Sequence, residues 1–131
     1  MPLKTLDYSS IFVPLNIMKK SNAIVITGGY LDSSNAKTAH GLIRGTERFN
    51  ILGIVDHKSA GKDAGEVLDG KHRNLPVYAS IPDFIKVSGE KAQYCVIGVA
   101  TKGGVIPDSL HDLLVEALNH NLSIVNGLHD Y

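Results

Sequence analysis

A chain of 131 residues has the length of one compact domain, and 44% hydrophobic residues are enough to fill its core without a disulfide or zinc staple. Thirteen Lys and Arg cancel thirteen Asp and Glu, which excludes the positive excess that a nucleic-acid groove or a polybasic membrane contact needs. A single cysteine rules out an internal disulfide, and no apolar run is long enough for a signal peptide or a membrane span, so a cytoplasmic protein acting on a small anionic molecule or a protein partner is expected.

Residues 1–22 do not fit the repeat that follows. Ile11-Phe12-Val13 reads as an extra edge strand or as an arm that packs on another subunit, and the domain proper is expected over 23–131. Ala23 to Thr27 is a β-branched apolar run that stops at Gly28-Gly29, the mark of a buried strand followed by a turn. Ser33, Ser34 and Asn35 are N-cap types, and Ala36, Ala39, Ile43 and Thr46 recur at helical spacing, predicting a helix from Ala36 to Arg48. Ile51 to Val55 repeats the strand pattern and ends in Asp56-His57-Lys58. A Gly-containing connection from Ser59 to Asn74 carries a short helix at Asp63 to Leu68, and Pro76-Val77-Tyr78 is a short third strand. Ser80 caps a helix through Val87, with Pro82 in the first turn, where its missing N–H costs nothing. Tyr94 to Ala100 is the fourth strand, and Cys95 within it reads as a buried small hydrophobe. After the loop from Thr101 to Pro107, Asp108 is expected to cap the clearest helix, whose apolar residues are Leu110, Leu113, Leu114, Ala117 and Leu118. Leu122 to Val125 is the fifth strand.

Apolar strands separated by helices predict an α/β fold, a doubly wound, mainly parallel Rossmann-like sheet of five strands with helices on both faces, and strand order 3-2-1-4-5 is expected by analogy with the common doubly wound topology. In such a sheet a ligand sits where strand order reverses, at the carboxyl ends of the strands, beside helix N-termini that favour anions. Three loops converge there, and they nominate Gly28, Gly29, Ser34, Lys37, Thr38, Asp56, Gly103 and Gly104 as ligand contacts, with Asp56 placed to accept hydrogen bonds from a ribose. The dinucleotide fingerprint G-x-G-x-x-G is incomplete, because Tyr30 and Ser33 stand where its second and third glycines belong. Gly61-Lys62-Asp63 lacks the following Ser or Thr of a P-loop. The cofactor stays unassigned among NAD(P), ATP and acetyl-CoA, and no catalytic residue is singled out. His57 and His129 follow strands at the ligand end. The six histidines never stand at the i, i+4 spacing of a zinc helix pair, so no metal site is expected.

Four segments carry a family resemblance: Gly28-Gly29-Tyr30-Leu31 with Asn35 to Arg44, Val55 to Val67, Ile97-Gly98-Val99-Ala100 with Gly103-Gly104, and Asn126-Gly127-Leu128-His129. From about Ala23 to Tyr131 the chain resembles a prokaryotic family of unknown function, often labelled NAD-dependent epimerase/dehydratase, with some members described as D-glutamate N-acetyltransferases. The resemblance implies a Rossmann-like N-terminal domain that is normally followed by a P-loop-type domain. It makes the chain a nucleotide-, acyl-CoA- or carboxylate-binding part of a larger acyltransferase-like enzyme, not catalytic alone. Two alternatives stand beside it: a stand-alone NAD(P)-dependent oxidoreductase or epimerase-like enzyme, and an oligomerisation or partner-docking module that forms a homo-oligomer.

Overall fold

The structure, a computed structural model, describes residues 20–100 and 107–126. Its strands are β1 (Ser21–Ile26), β2 (Phe49–Val55), β3 (Val77–Tyr78), β4 (Tyr94–Ile97) and β5 (Ser123–Asn126). They are joined by the helices α1 (Lys37–Arg44), α2 (Ala64–Asp69), α3 (Ile81–Ser88) and α4 (Asp108–Asn119), with a 3-10 turn at Ser34–Ala36 before α1. The sheet order is β3-β2-β1-β4-β5 and every pairing is parallel. This is the Rossmann-like α/β arrangement, in the strand order expected by analogy with the common doubly wound topology.

Parallel neighbours need crossovers, and right-handed crossovers place the helices of the two sheet halves on opposite faces. Accordingly α1 packs with α2, and α3 with α4. Ile24, Ile26, Ile54, Ile81, Phe84 and Leu110 are fully buried between these layers. Cys95 is buried among them, and burial pushes its thiol up to about 12, which leaves it an inert hydrophobe as its sequence context suggests. Gly98 follows β4 at the closest approach of α1 to the sheet. A Cβ there would lie 2.7 Å from Val25 Cγ1 and 2.8 Å from Ala39 Cβ, so only a glycine lets the helix sit down on the strands.

Several boundaries differ from expectation. The first strand starts at Ser21, inside the expected arm, while residues 1–19, Ile11-Phe12-Val13 among them, lie outside the described residues. Helix α1 stops at Arg44 because Gly45 turns to φ 153°, ψ 144°, and β2 starts early, at Phe49, where the ring is buried. Asp108 is the first residue of α4, not its cap; Pro107 holds the cap position and offers no side-chain acceptor. Among the described residues no helix is long and apolar enough to cross a membrane.

Candidate functional site

The chain leaves β1 toward α1 and leaves β4 toward α4, so the crevice between these two adjacent strands opens at their carboxyl ends. Its floor is the loop after β1, where Gly28 and Gly29 take φ 56° and 99°, left-handed values that suit glycine. Each is covered on a different side. A Cβ on Gly28 would come within 3.2 Å of Ser109 Oγ, whose hydroxyl donates to Gly28 O at 3.1 Å, so the first turn of α4 seats on this loop. A Cβ on Gly29 would come within 2.8 Å of His57 Cε1, so the exposed His57 ring lies over that residue.

Asp56, at the end of β2, is fully buried and organises both loops. One carboxylate oxygen, Oδ2, accepts from Thr27 Oγ1 at 2.6 Å, Gly29 N at 2.9 Å and Leu31 N at 3.0 Å. The other, Oδ1, accepts from Lys58 N and Ser59 N, both at 3.0 Å. Five donors saturate the group. The expected role of Asp56 as a ribose acceptor therefore needs correction, because both oxygens are spent inside the protein and out of solvent. The loop N–H groups that a pyrophosphate would use are likewise turned onto the protein's own carboxylate.

The remaining nominated residues gather at the start of α1. Ser33 caps the 3-10 turn by accepting from Asn35 N at 3.2 Å and donates to Tyr30 O at 2.9 Å. The amino end of α1 abuts the end of β4, where Ala39 N donates to Gly98 O at 3.1 Å and Ala100 N to Asn35 O at 2.8 Å. Ser34 and Lys37, at the start of this segment, are exposed and Thr38 is half-buried. Gly103, Gly104 and His129 lie outside the described residues. Ser109 is a contact that sequence reasoning missed; its signal was its place in the first turn after a Pro that cannot cap.

Beyond β2 a second cleft, about 660 Å³, is lined by Asp32, Ser59, Lys62, Asp63, Glu66 and His72, among others. Lys58 Nζ stands 3.6 Å from Asp32 Oδ2 across its upper edge. Asp63 is the N-cap of α2; it accepts from Glu66 N at 3.1 Å, Arg73 N at 2.9 Å and Leu75 N at 2.7 Å. Burial pushes its carboxyl up, but the N–H donors of Arg73, Leu75 and Glu66 outweigh that and hold it below the usual carboxylate range. His72 Nδ1 lies 2.6 Å from Glu66 Oε2 and Nε2 lies 3.2 Å from Asn74 Oδ1, and these partners, Glu66 first, raise the imidazole above its ordinary value. Donor atoms of Asp63, Glu66 and His72 all lie within 4.8 Å of one another, close enough, among the described residues, that they could hold a cation. A larger hollow, about 700 Å³, lies at the amino ends of the strands around Lys20, Asn22, Asn50 and Lys91. Helix carboxyl ends, not N-termini, face that end, so it lacks the anion-favouring geometry of the crevice.

Residues 57–131 match the family described as domain of unknown function (DUF1611_N), Rossmann-like domain. The crystal structure of a DUF1611 family protein from Anabaena variabilis is similar at a TM-score of 0.69 and 30% sequence identity, over 89% of this chain and 31% of that one. The chain thus spans about a third of the length of that relative. No curated protein matches it.

Proposed function

The chain belongs to the DUF1611 N-terminal Rossmann-like family, and from that premise we propose that it is the ligand-binding part of a larger protein and does no chemistry alone. Its ligand is a small molecule carrying a carboxylate or phosphate, such as a nucleotide, an acyl-CoA or a free acid, held in the crevice between the β1 loop and α4. The observation that carries this function is the amino end of α4, which begins beside Gly28 with no side-chain cap and turns the helix's partial positive charge, offset in part by the exposed Asp108 of its first turn, toward an anion. Ser34, Lys37 and Thr38 on the α1 side supply the opposing polar contacts. Chemistry would fall to a further domain of the polypeptide, P-loop-type by the resemblance, and a reducing cytoplasmic setting fits the free, buried Cys95.

Asp56 speaks against a stand-alone NAD(P)-dependent oxidoreductase, since the carboxylate that would hold the ribose is already saturated. A docking role is favoured by a separate observation. Among the described residues the exposed large hydrophobics, Ile85, Val87, Val115 and Leu118, all lie on α3 and α4, the same face of the sheet. A second copy of the chain on that face would appear in light scattering as a dimer that Leu118→Lys dissociates.

Calorimetric titration of the chain with inorganic phosphate, NAD, ATP, acetyl-CoA and D-glutamate tests the binding function. At least one should bind, with affinity falling about 5- to 10-fold in Lys37→Ala, the loss of roughly 1 to 1.4 kcal/mol that a charge-assisted contact at a half-open site supplies. No heat and no thermal shift with any of the five would refute it.

A further inference from the structure

We propose that Asp63, Glu66 and His72 form a binding site for one divalent transition-metal ion, of the zinc or manganese class, in the cleft beside α2. The site lies apart from the crevice and does not depend on what the crevice binds.

The donor set is one imidazole nitrogen and two carboxylate oxygens, a combination that suits these ions. Asp63 and Glu66 come from the start of α2, and His72 from the segment that returns along it. That segment is held firmly in place. Arg73 N and Leu75 N are tied to Asp63, the Arg73 guanidinium grips Asp69 at 2.8 and 3.0 Å, and Gly65 packs so closely that a Cβ on it would strike Lys71 O. The imidazole is therefore delivered to the two carboxylates by the backbone, not by a wandering side chain.

The surroundings are those a metal ligand needs. A ligating histidine normally gives its second ring N–H to a carbonyl or carboxylate oxygen, which fixes the tautomer and leaves the first nitrogen's lone pair for the ion. Asn74 Oδ1, 3.2 Å from His72 Nε2, stands in that place; without an ion Nδ1 donates its proton to Glu66 Oε2 at 2.6 Å, with Asp63 Oδ2 at 3.9 Å, and an incoming ion would take the place of that proton. Ligating carboxylates are themselves held by hydrogen bonds, and Asp63 has three backbone donors. An ion about 2.1 Å from each ligand atom requires those atoms to be no more than about 4.2 Å apart. The cluster spans up to 4.8 Å, and rotation of the half-exposed Glu66 and His72 side chains would both close that gap and open the 2.6 Å contact between them to admit the ion.

Ser59 is an independent sign of a ligand here. It is 4% exposed, it lines the same cleft, and its hydroxyl has no hydrogen-bond partner among the described residues. Buried hydroxyls are nearly always paired. A water on an ion at the three-ligand cluster, which leaves coordination positions open toward the cleft, would supply the missing partner.

Calorimetry on the chain stripped with a chelator, titrated separately with Zn2+ and Mn2+, tests the site. One ion should bind per chain, and His72→Asn and Glu66→Gln should each weaken binding at least 10-fold. Ser59→Ala should weaken it less, because that hydroxyl would touch bound water and not the ion. Both ligand side chains are exposed, so the variants should retain the wild-type melting profile. As a check that needs no variant, the ring nitrogens of His72 in the wild-type chain should shift by NMR on saturation with Zn2+. No uptake of either ion, equal affinity in both ligand variants, or unmoved His72 resonances would each overturn the site. Phosphate binding in the crevice is a separate titration, so either result can fail while the other stands.

Discussion

Asp56→Asn should destabilise the domain by about 2 to 6 kcal/mol. Asn keeps one acceptor oxygen and puts an NH2 group where the other stood. Its better orientation keeps the oxygen toward Thr27 Oγ1, Gly29 N and Leu31 N and turns the amide nitrogen toward Lys58 N and Ser59 N. Those two N–H groups then face a donor. The Ser59 bond is buried and the Lys58 bond partly so, and an orphaned buried donor costs about 1 to 3 kcal/mol, giving the stated range for the pair. That is a large fraction of the roughly 5 to 15 kcal/mol by which such a domain is stable. Urea unfolding followed by circular dichroism reads it directly, as a lower midpoint at unchanged slope. A carboxylate reserved for ligand would behave in the opposite way, with stability untouched and affinity lost. A loss under about 1 kcal/mol in Asp56→Asn would refute the clasp and restore Asp56 to the ligand.

Gly98→Ala should cost about 1 to 3 kcal/mol, since the new methyl falls within 2.8 Å of Val25 and Ala39, both buried, and overpacking of this kind cannot relax cheaply; a thermal melt checks it. Gly65→Ala drives a methyl into the Lys71 carbonyl, so hydrogen exchange should accelerate over 63–75 and not in β1 or β4. Asp69 is held down to about 2 by Arg73, from an ordinary 3.8. A lowered carboxyl pKa gives stability that is present above the unfolded value and lost as pH falls through the folded one, so Arg73→Ala should flatten the acid limb of stability between pH 3.8 and about 2. The Cys95 thiol, pushed up to about 12 by burial, should resist iodoacetamide at pH 8 until denaturant is added; alkylation at the rate of a free thiol would show that the β4 core opens.

Helix placement was legible because it follows from apolar periodicity and from one chirality rule, both local in sequence. The adjacency of the runs at Ala23, Ile51 and Tyr94 needed more, the analogy with the common doubly wound strand order. Boundaries were less legible where one residue settles them by conformation, as Gly45 does at the end of α1. The site was legible as a place and much less as a set of contacts. Asp56 has the same letter and the same position after a strand whether its carboxylate faces a ribose or five donors of its own fold, and only the path of the Gly28-Gly29 turn decides between them. The Asp63, Glu66 and His72 cluster was invisible to histidine spacing because its imidazole arrives from a return segment; the Asp63 to Glu66 interval, an N-cap followed by an acidic N3 residue, was its single local sign.

The Asp56 clasp also constrains the ligand. Its carboxylate lies in the concavity formed by Gly29 N, Leu31 N and the Thr27 hydroxyl, where a phosphate would otherwise be received. An incoming anion would have to displace it, leaving a buried carboxylate without its donors beside a second negative charge, and both changes are unfavourable. On the function proposed above, the anionic group would then bind on the β4 side of the loop, where α4 begins without a side-chain cap against Gly28. A dinucleotide laid across the sheet needs both sides at once. A ligand with one anionic end needs only the β4 side, which is why a free acid or a single phosphate group should bind this domain better than NAD in the same titration.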